Sequence, residues 1–186
     1  MKNKIIGLWI IRIIISLLFF VSAYAKVYHD PSAYFSITTF EAKQLVPLGF
    51  SAEIAAYLSR ILIALEFSIG LLILLPFYFK RIVIPFTVLI LGVFCFHLAI
   101  QIYLTGNDGN CGCFGTLLPM TPFEAILKNI FAIGLLVILN NLVPTDNSKK
   151  IDIFYGFLIY FIFLIGIMLY IPIKNSHKLT FDLNEF

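Results

Sequence analysis

Two cysteines separated by a single glycine are the residues with the clearest chemistry in this chain. Cys111 and Cys113 lie in a stretch rich in glycine and polar residues, 105–121, between two long apolar runs. Because glycine permits positive φ angles, this stretch is predicted to be a turn-rich loop, called the cysteine loop below. A disulfide between the two thiols would close a very small ring, so it would be strained and easily reduced. The spacing therefore indicates a bond that is made and broken.

The composition indicates a membrane protein. Of the 186 residues, 61% are hydrophobic and 12% are charged, and the mean hydropathy is +1.00. Soluble domains have about 25% charged residues. A spanning helix needs about 20 apolar residues, which leaves room for four to six spans and for no large soluble domain. The predicted fold class is all-α, an integral membrane helical bundle.

Five apolar runs are long enough to be spanning helices. They cover residues 5–25, 55–79, 82–104, 122–142 and 151–172. The first run exceeds the apolar length of a signal peptide, so a retained helix is predicted and a cleaved signal is the alternative. The domains predicted are a four-helix transmembrane unit that contains the cysteine loop, an additional transmembrane helix, and a polar tail, at residues 1–143, 144–173 and 174–186.

The connecting segments carry their own signals. Thr121 and Glu124 form a capping-box pattern with Pro122 at the first helical position, which predicts a helix start there. Between the first two runs, Asp30-Pro31 is a predicted helix start. The remainder of that segment, which includes Phe35, Phe40 and Leu45, is predicted to lie on the membrane surface.

Basic residues predict the orientation. With the N-terminus in the cytoplasm, the short cytoplasmic segments hold Lys2, Lys4, Lys80, Arg81, Lys149 and Lys150. This arrangement satisfies the positive-inside rule. It puts the cysteine loop and the C-terminal tail on the periplasmic side of a bacterial inner membrane, where disulfides persist.

Charged residues inside the apolar runs indicate internal contacts, since charge is costly in a bilayer. Arg12 and Glu66 are predicted to pair, orienting the first two spans or lining a cofactor cavity. In the alternative, Arg12 extends to the cytoplasmic headgroups and Glu66 is protonated.

A second group of polar residues is predicted beneath the cysteine loop. His97 and Gln101 are one helical turn apart, and His97 and Lys128 are both about 10 Å below the outer surface by helical rise. They would form a polar floor that supports a thiolate, although a lone membrane histidine is often only a hydrogen-bonded core residue. Cys95 is predicted to be an inert buried thiol, and exchange with the loop pair is the alternative.

One ordered set of residues resembles a known family. The set is Arg12, Lys26, Asp30-Pro31, Phe35, residues 66–70, Cys111-Gly112-Cys113-Phe114-Gly115, Pro122 and Lys128-Asn129. It is similar to the DoxX superfamily of membrane proteins, and most closely to the methylamine utilisation protein MauE branch, over about residues 5–142. The chain departs from the family's pattern at Phe123, at Lys128 and in its fifth helix.

The resemblance implies a four-helix membrane bundle and a thiol–disulfide role. MauE members are associated with a periplasmic thioredoxin-like protein that matures a disulfide-rich enzyme. Cys111 and Cys113 would then be the catalytic pair, with His97 and Lys128 in support, and a quinone is one candidate electron acceptor. The substrate stays open, because the family name is narrower than the spread of its members.

A second class of function is non-catalytic. In it, the cysteine loop is a structural staple and the bundle is an accessory subunit or anchor of a larger membrane complex. A metal site is a weaker alternative, since two thiolates would need Asp108, His97 or a partner to complete four ligands. No phosphate-binding loop, hydrolase triad or basic nucleic-acid surface is present.

Overall fold

The helices of the chain follow the apolar runs of the sequence. The computed structural model describes residues 2–29, 36–75, 82–143 and 150–173. The long helices are α1 (Lys2–Val27), α3 (Ala52–Leu74), α4 (Val83–Thr105), α5 (Pro122–Leu142) and α6 (Lys150–Tyr170). Between α1 and α3, the short helix α2 (Ile37–Phe40) continues into a π-helical turn, Glu41–Leu45, and a 3₁₀ turn, Val46–Leu48. These three pieces are called the cap segment, residues 37–48.

Four helices, α1, α3, α4 and α5, are long and apolar enough to cross a membrane. The all-α membrane bundle predicted from the composition is therefore confirmed. Helix α6 is apolar over Phe154–Tyr170, which is shorter than the other four spans. A fifth crossing by this helix stays a prediction.

Four helix–helix contacts set the arrangement of the bundle. Helix α1 packs on α3 and α5, α4 packs on α5, and α6 packs on α3. The Ser16 hydroxyl donates to the Gly70 carbonyl at 2.7 Å, which fixes the register of α1 against α3. At Gly70, a Cβ would lie 3.3 Å from the backbone oxygen of Ser16, so glycine permits this close approach. The apolar core beside this contact includes Ile15, Phe19 and Leu136.

Residues 37–45 of the cap segment pack into the bundle, so the prediction that this part lies on the membrane surface is wrong. Phe40 and Leu45 are buried and pack with Ala55 of α3. Glu41 and Gln44 are buried as well, and each has hydrogen-bonding partners within the bundle. The polar residues of this segment indicated a position at the membrane surface. They face the interior of the bundle instead, where Glu41 and Gln44 have hydrogen-bonding partners.

The predicted capping box of α5 is confirmed. The Thr121 backbone N–H donates to Glu124 Oε2 at 2.7 Å, and the Glu124 N–H donates back to Thr121 Oγ1 at 3.4 Å. Several other predictions lie outside the described residues. They concern Asp30-Pro31, Phe35, Lys80, Arg81, Lys149 and the tail at 174–186.

Candidate functional site

One asparagine holds the cysteine loop in shape. The Oδ1 atom of Asn110 accepts a hydrogen bond from the Gly112 N–H at 2.9 Å, and its Nδ2 donates to the Gly115 carbonyl at 2.8 Å. The loop closes where the Cys111 N–H donates to the Met120 carbonyl at 2.9 Å. Backbone groups that have no helical partner are thus satisfied within the loop.

Two glycines let the loop press against its neighbours. Gly112 has φ +74°, and a Cβ there would lie 3.0 Å from the Thr39 carbonyl oxygen of the cap segment. Gly115 has φ +56°, and its Cβ would lie 2.6 Å from the Ala25 carbonyl oxygen and 2.5 Å from Ser36 Cβ. Residues with side chains would be strained at both positions. The glycines therefore seat the loop on α1 and the cap segment.

Both cysteines of the loop are buried thiols. Cys111 is 0% exposed and Cys113 is 7% exposed. The glycines at 112 and 115 bring the loop close enough to its neighbours to cover both sulfurs. Direct access to either sulfur therefore requires the loop or the cap segment to move.

The two thiols differ in acidity because one donates to the other. The Cys113 thiol and the Cys113 backbone N–H both donate hydrogen bonds to the Cys111 sulfur, and the N–H does so at 3.4 Å. Together with the positive charges of Lys128 and Lys26, these hydrogen bonds lower the pKa of Cys111 to about 7. The same thiol hydrogen bond, together with burial, raises the pKa of Cys113 well above its ordinary value. Near neutral pH, the arrangement favours a thiolate at Cys111 and a protonated Cys113.

Gln44 connects the loop to the cap segment and to α4. Its Nε2 donates to the Cys111 carbonyl at 2.5 Å and to Gln101 Oε1 at 3.1 Å. Gln101 therefore reaches the cysteine loop through Gln44, as part of the polar floor that the sequence predicts. His97 does not join this network, and its buried Nε2 has no hydrogen-bond partner among the described residues.

A cavity of about 40 Å³, lined by both polar and apolar side chains, lies beneath Cys113 and is called the polar cavity below. Its polar lining is contributed by α1, α3, α5 and the cysteine loop, through Ser22, Lys26, Glu66, Cys113, Lys128 and Asn129. The Lys128 ammonium also lies 4.3 Å from the centre of the Phe114 ring, a cation–π contact. Lys128 is thus next to the cysteines, as predicted from helical rise.

The predicted pair between Arg12 and Glu66 is not formed. Glu66 pairs with Lys26, whose Nζ lies 2.9 Å and 2.8 Å from its two carboxylate oxygens. Arg12 donates to the Leu75 carbonyl at 3.4 Å instead. The register of α1 against α3 explains the difference. It puts Arg12 about two helical turns from the level of Glu66, whereas the Lys26 side chain extends back along α1 to reach it.

The sequence interpretation also missed a fully buried ion pair. Arg60 and Glu41 are both 0% exposed, and Arg60 Nη1 lies 3.1 Å from Glu41 Oε1. The Ser59 hydroxyl donates to the same oxygen at 2.5 Å, and Arg60 Nε donates to the Ile171 carbonyl at 3.0 Å. This pair joins α3, the cap segment and the end of α6. The pairing of Lys26 with Glu66 was also missed. A sequence signal for a buried Lys26 was available, because Ser22 and Lys26 are four residues apart and so lie on the same side of α1.

Within the described ranges, no group of three or more histidine, cysteine or acidic side chains could hold a metal ion. Cys95 lies in α4 and is only partly buried, where the sequence predicts a buried thiol. Its thiol is hydrogen-bonded to Asn129 of α5. Among the described cysteines, the arrangement brings Cys111 and Cys113 together.

Comparison with known proteins gives two matches. The family described as methylamine utilisation protein MauE matches residues 4–140. Protein TlpB of Flavobacterium psychrophilum is 51% identical over 167 residues, which cover 89% of this chain and 45% of that protein. The chain thus spans less than half the length of this relative. No solved structure matches the chain significantly.

Proposed function

Since the chain belongs to the methylamine utilisation protein MauE family, we propose that this multi-pass membrane protein is a component of thiol–disulfide exchange. Cys111 and Cys113 alternate between dithiol and disulfide, and their partner is a thioredoxin-like protein, as the family resemblance implies. The observation that carries the proposal is the hydrogen-bonded thiol pair, with the pKa of Cys111 lowered to about 7 by Cys113 and two lysines.

The exchange has two steps. The Cys111 thiolate attacks one sulfur of the partner's disulfide, which forms a mixed disulfide and releases a partner thiolate. Cys113 then loses its proton and attacks the Cys111 sulfur, which releases the second partner thiolate. The partner gains two electrons, and the chain becomes the Cys111–Cys113 disulfide. In the reverse direction the partner's dithiol reduces the Cys111–Cys113 disulfide. A quinone or a second membrane protein then accepts the two electrons from the chain.

The proposed location is the bacterial inner membrane, with the cysteine loop and the C-terminal tail in the periplasm and the N-terminus in the cytoplasm. The distribution of basic residues supports this orientation. An oxidising compartment would also suit thiol chemistry at the cysteine loop.

A non-catalytic role is the second candidate, and burial of the loop favours it. Both thiols are covered, and Gly112 and Gly115 fit closely against the cap segment and α1. In this role the protein is an accessory subunit of a membrane complex, and the cysteines contribute to stability only.

Trapping experiments in cells distinguish the two candidates. Cys113→Ser lacks the resolving thiol, so it should accumulate a mixed disulfide through Cys111, visible as a reductant-sensitive band on non-reducing gels. Cys111→Ser lacks the nucleophile and should trap little. Mass spectrometry of the band should identify a thioredoxin-like protein.

Cys95→Ala is the matched control, because it removes a thiol outside the cysteine loop. It should behave as the parent does. If neither loop variant traps a protein and both retain function in cells, the accessory role replaces the redox role.

A further inference from the structure

The proposed exchange requires a group that takes the proton of Cys113. This thiol must lose its proton before it can attack the mixed disulfide. In the dithiol its pKa is raised by its hydrogen bond to Cys111 and by burial, and burial still acts once Cys111 is part of the mixed disulfide. Cys113 is only 7% exposed, so bulk water has little direct contact with it. General bases act within hydrogen-bonding distance or through one water molecule. The acceptor should therefore lie inside the bundle.

The polar cavity beneath Cys113 provides such a place. A water molecule needs about 10 to 15 Å³ of such a cavity and two to four polar partners. At about 40 Å³, with hydroxyl, amide, ammonium and carboxylate groups in its walls, the cavity has the size and the polarity to hold water. Water there would connect Cys113 to the groups opposite it.

Glu66 is the carboxylate among the described residues that line this cavity. Both of its oxygens accept hydrogen bonds from Lys26 Nζ, and Lys26 also donates to Ser22 Oγ at 2.9 Å. Lys26 is therefore held on α1 and in turn positions the carboxylate. A carboxylate has about four acceptor sites, so Glu66 keeps the capacity to bind a proton. Its side chain is 21% exposed, compared with 3% for Lys26, so the carboxylate is less enclosed than the ammonium.

The other side chains around the cavity cannot take this role. From α5, Lys128 supplies positive charge that lowers the pKa of Cys111, and as a cation it accepts no proton. From the cysteine loop, the nearby titratable groups are the two thiols themselves. Helix α4 and the cap segment line the cavity with apolar groups, Leu91, Phe94 and Phe40. On the other side of α3, α6 brings Phe163 to stack on Phe67.

We propose that Glu66, positioned by Lys26, accepts the Cys113 proton through the polar cavity when Cys113 resolves the mixed disulfide. This inference rests on the proposed function and assigns a residue to its second step. The Cys113 sulfur forms a bond to the Cys111 sulfur, the partner leaves as a thiolate, and the proton goes to the Glu66 carboxylate. The ion pair between Lys26 and Glu66 re-forms when the proton leaves the carboxylate.

The test follows the two steps with 4,4′-dithiodipyridine as the small disulfide. Purified protein in detergent, carrying Cys95→Ala, is reduced and mixed with less than one equivalent of the probe. Attack by Cys111 releases the first thiopyridone, and resolution by Cys113 releases the second, so the absorbance separates the steps. Glu66→Gln should leave the first phase unchanged and slow the second about 100-fold at neutral pH, the size of a typical loss of a general base.

The pH profile distinguishes a proton acceptor from a structural residue. Without Glu66 the second phase should depend on hydroxide and rise about tenfold for each pH unit below the pKa of Cys113, while the parent's profile is flatter. Glu66→Asp, which keeps the carboxylate, should restore much of the rate. Glu53→Gln makes the same chemical change at an exposed position of α3 and should match the parent in both phases.

Each outcome separates this inference from the proposed function. If the first phase is absent in the parent, the proposed function fails. If the first phase is normal and Glu66→Gln resolves at the parent's rate and with the parent's pH profile, only the role of Glu66 is overturned. Should Glu66→Gln unfold, as judged by thermal denaturation, Glu66→Asp decides, since a parent-like profile supports the proposal and a hydroxide-dependent one overturns it.

Discussion

Cys111 and Cys113 carry the same side chain, yet their surroundings give them opposite acidity. The Cys111 sulfur receives hydrogen bonds from the thiol and the backbone of Cys113, and two lysines lie near it. Cys113 donates and is itself buried, so its proton is retained. In the proposed exchange, this asymmetry favours Cys111 as the attacking thiol and Cys113 as the resolving thiol. Sequence spacing alone could not separate these roles.

The lowered pKa of Cys111 can be measured directly. In the Cys95→Ala protein, the ultraviolet absorbance of the thiolate should show one thiol that is protonated below, and ionised above, a midpoint of about 7. Because the folded pKa lies below that of an ordinary thiol, the associated stabilisation is complete above the ordinary pKa and is lost as pH falls through about 7.

Cys113→Ala removes the thiol donor and should move that midpoint upward. Cys111→Ala serves as the control, because it removes the acidic thiol and should leave no titration near neutral pH. If the thiolate titration of the parent protein has its midpoint at about 8.5, the pKa of an unperturbed thiol, the assignment of Cys111 as the nucleophile is contradicted.

How far the site could be predicted also differs from residue to residue. The cysteines are close in sequence, and Lys128 was located by helical rise, so local geometry was sufficient for both. The partner of Glu66 depends instead on the register of α1 against α3, which the contact between Ser16 and Gly70 helps to fix. Hydropathy carries no information about it. Arg12 was therefore a reasonable partner in the sequence and the wrong one in the fold.

At the scale of elements, the cap segment depends on one buried charge pair. Arg60 of α3 meets Glu41 of the cap segment and the Ile171 carbonyl at the end of α6. Both charged side chains are fully buried, so each needs the other. The loop rests on this segment through Gln44, and the pair therefore supports the thiols indirectly.

Replacing Arg60 should be far more harmful than replacing Arg12. Arg60→Met leaves Glu41 without this ionic partner and should lower the free energy of unfolding by about 3 to 5 kcal/mol. Among the described residues, Arg12 makes one long hydrogen bond, to the Leu75 carbonyl, so Arg12→Met should cost about 1 kcal/mol. Unfolding in mixed micelles would compare the two variants. Equal losses would show that the Arg60 pair does not hold the cap segment.

At the scale of the whole molecule, the sequence was sufficient for the helices and not for what lies between them. The helix α5 begins and ends at the predicted residues, 122 and 142, because a capping box and an apolar run mark it. The cap segment was misjudged, since its polar residues are satisfied by partners distant in sequence. Hydropathy reports the preference of a residue for lipid or water, but it does not report the contacts that a polar residue makes.

The orientation in the membrane remains a prediction that labelling can check. Single cysteines at positions 108 and 147, in a variant without the native cysteines, would be exposed to an impermeant maleimide in cells with a permeabilised outer membrane. Asp108→Cys, in the exposed part of the cysteine loop, should be labelled. Asn147→Cys, outside the described residues, should be protected. The reverse pattern would put the cysteine loop in the cytoplasm.

The bond from Arg60 to the Ile171 carbonyl also bears on how such a protein could evolve. The match to the family model ends at residue 140, whereas the similarity to the relative covers 89% of the chain and therefore extends into α6. A residue of α3 donates to the backbone at the end of α6, so this hydrogen bond does not depend on which side chain stands at 171. Substitution at 171 would spare this bond, whereas loss of α6 would remove an acceptor from the buried guanidinium. Gain or loss of the helix should therefore be inherited together with the residue at position 60.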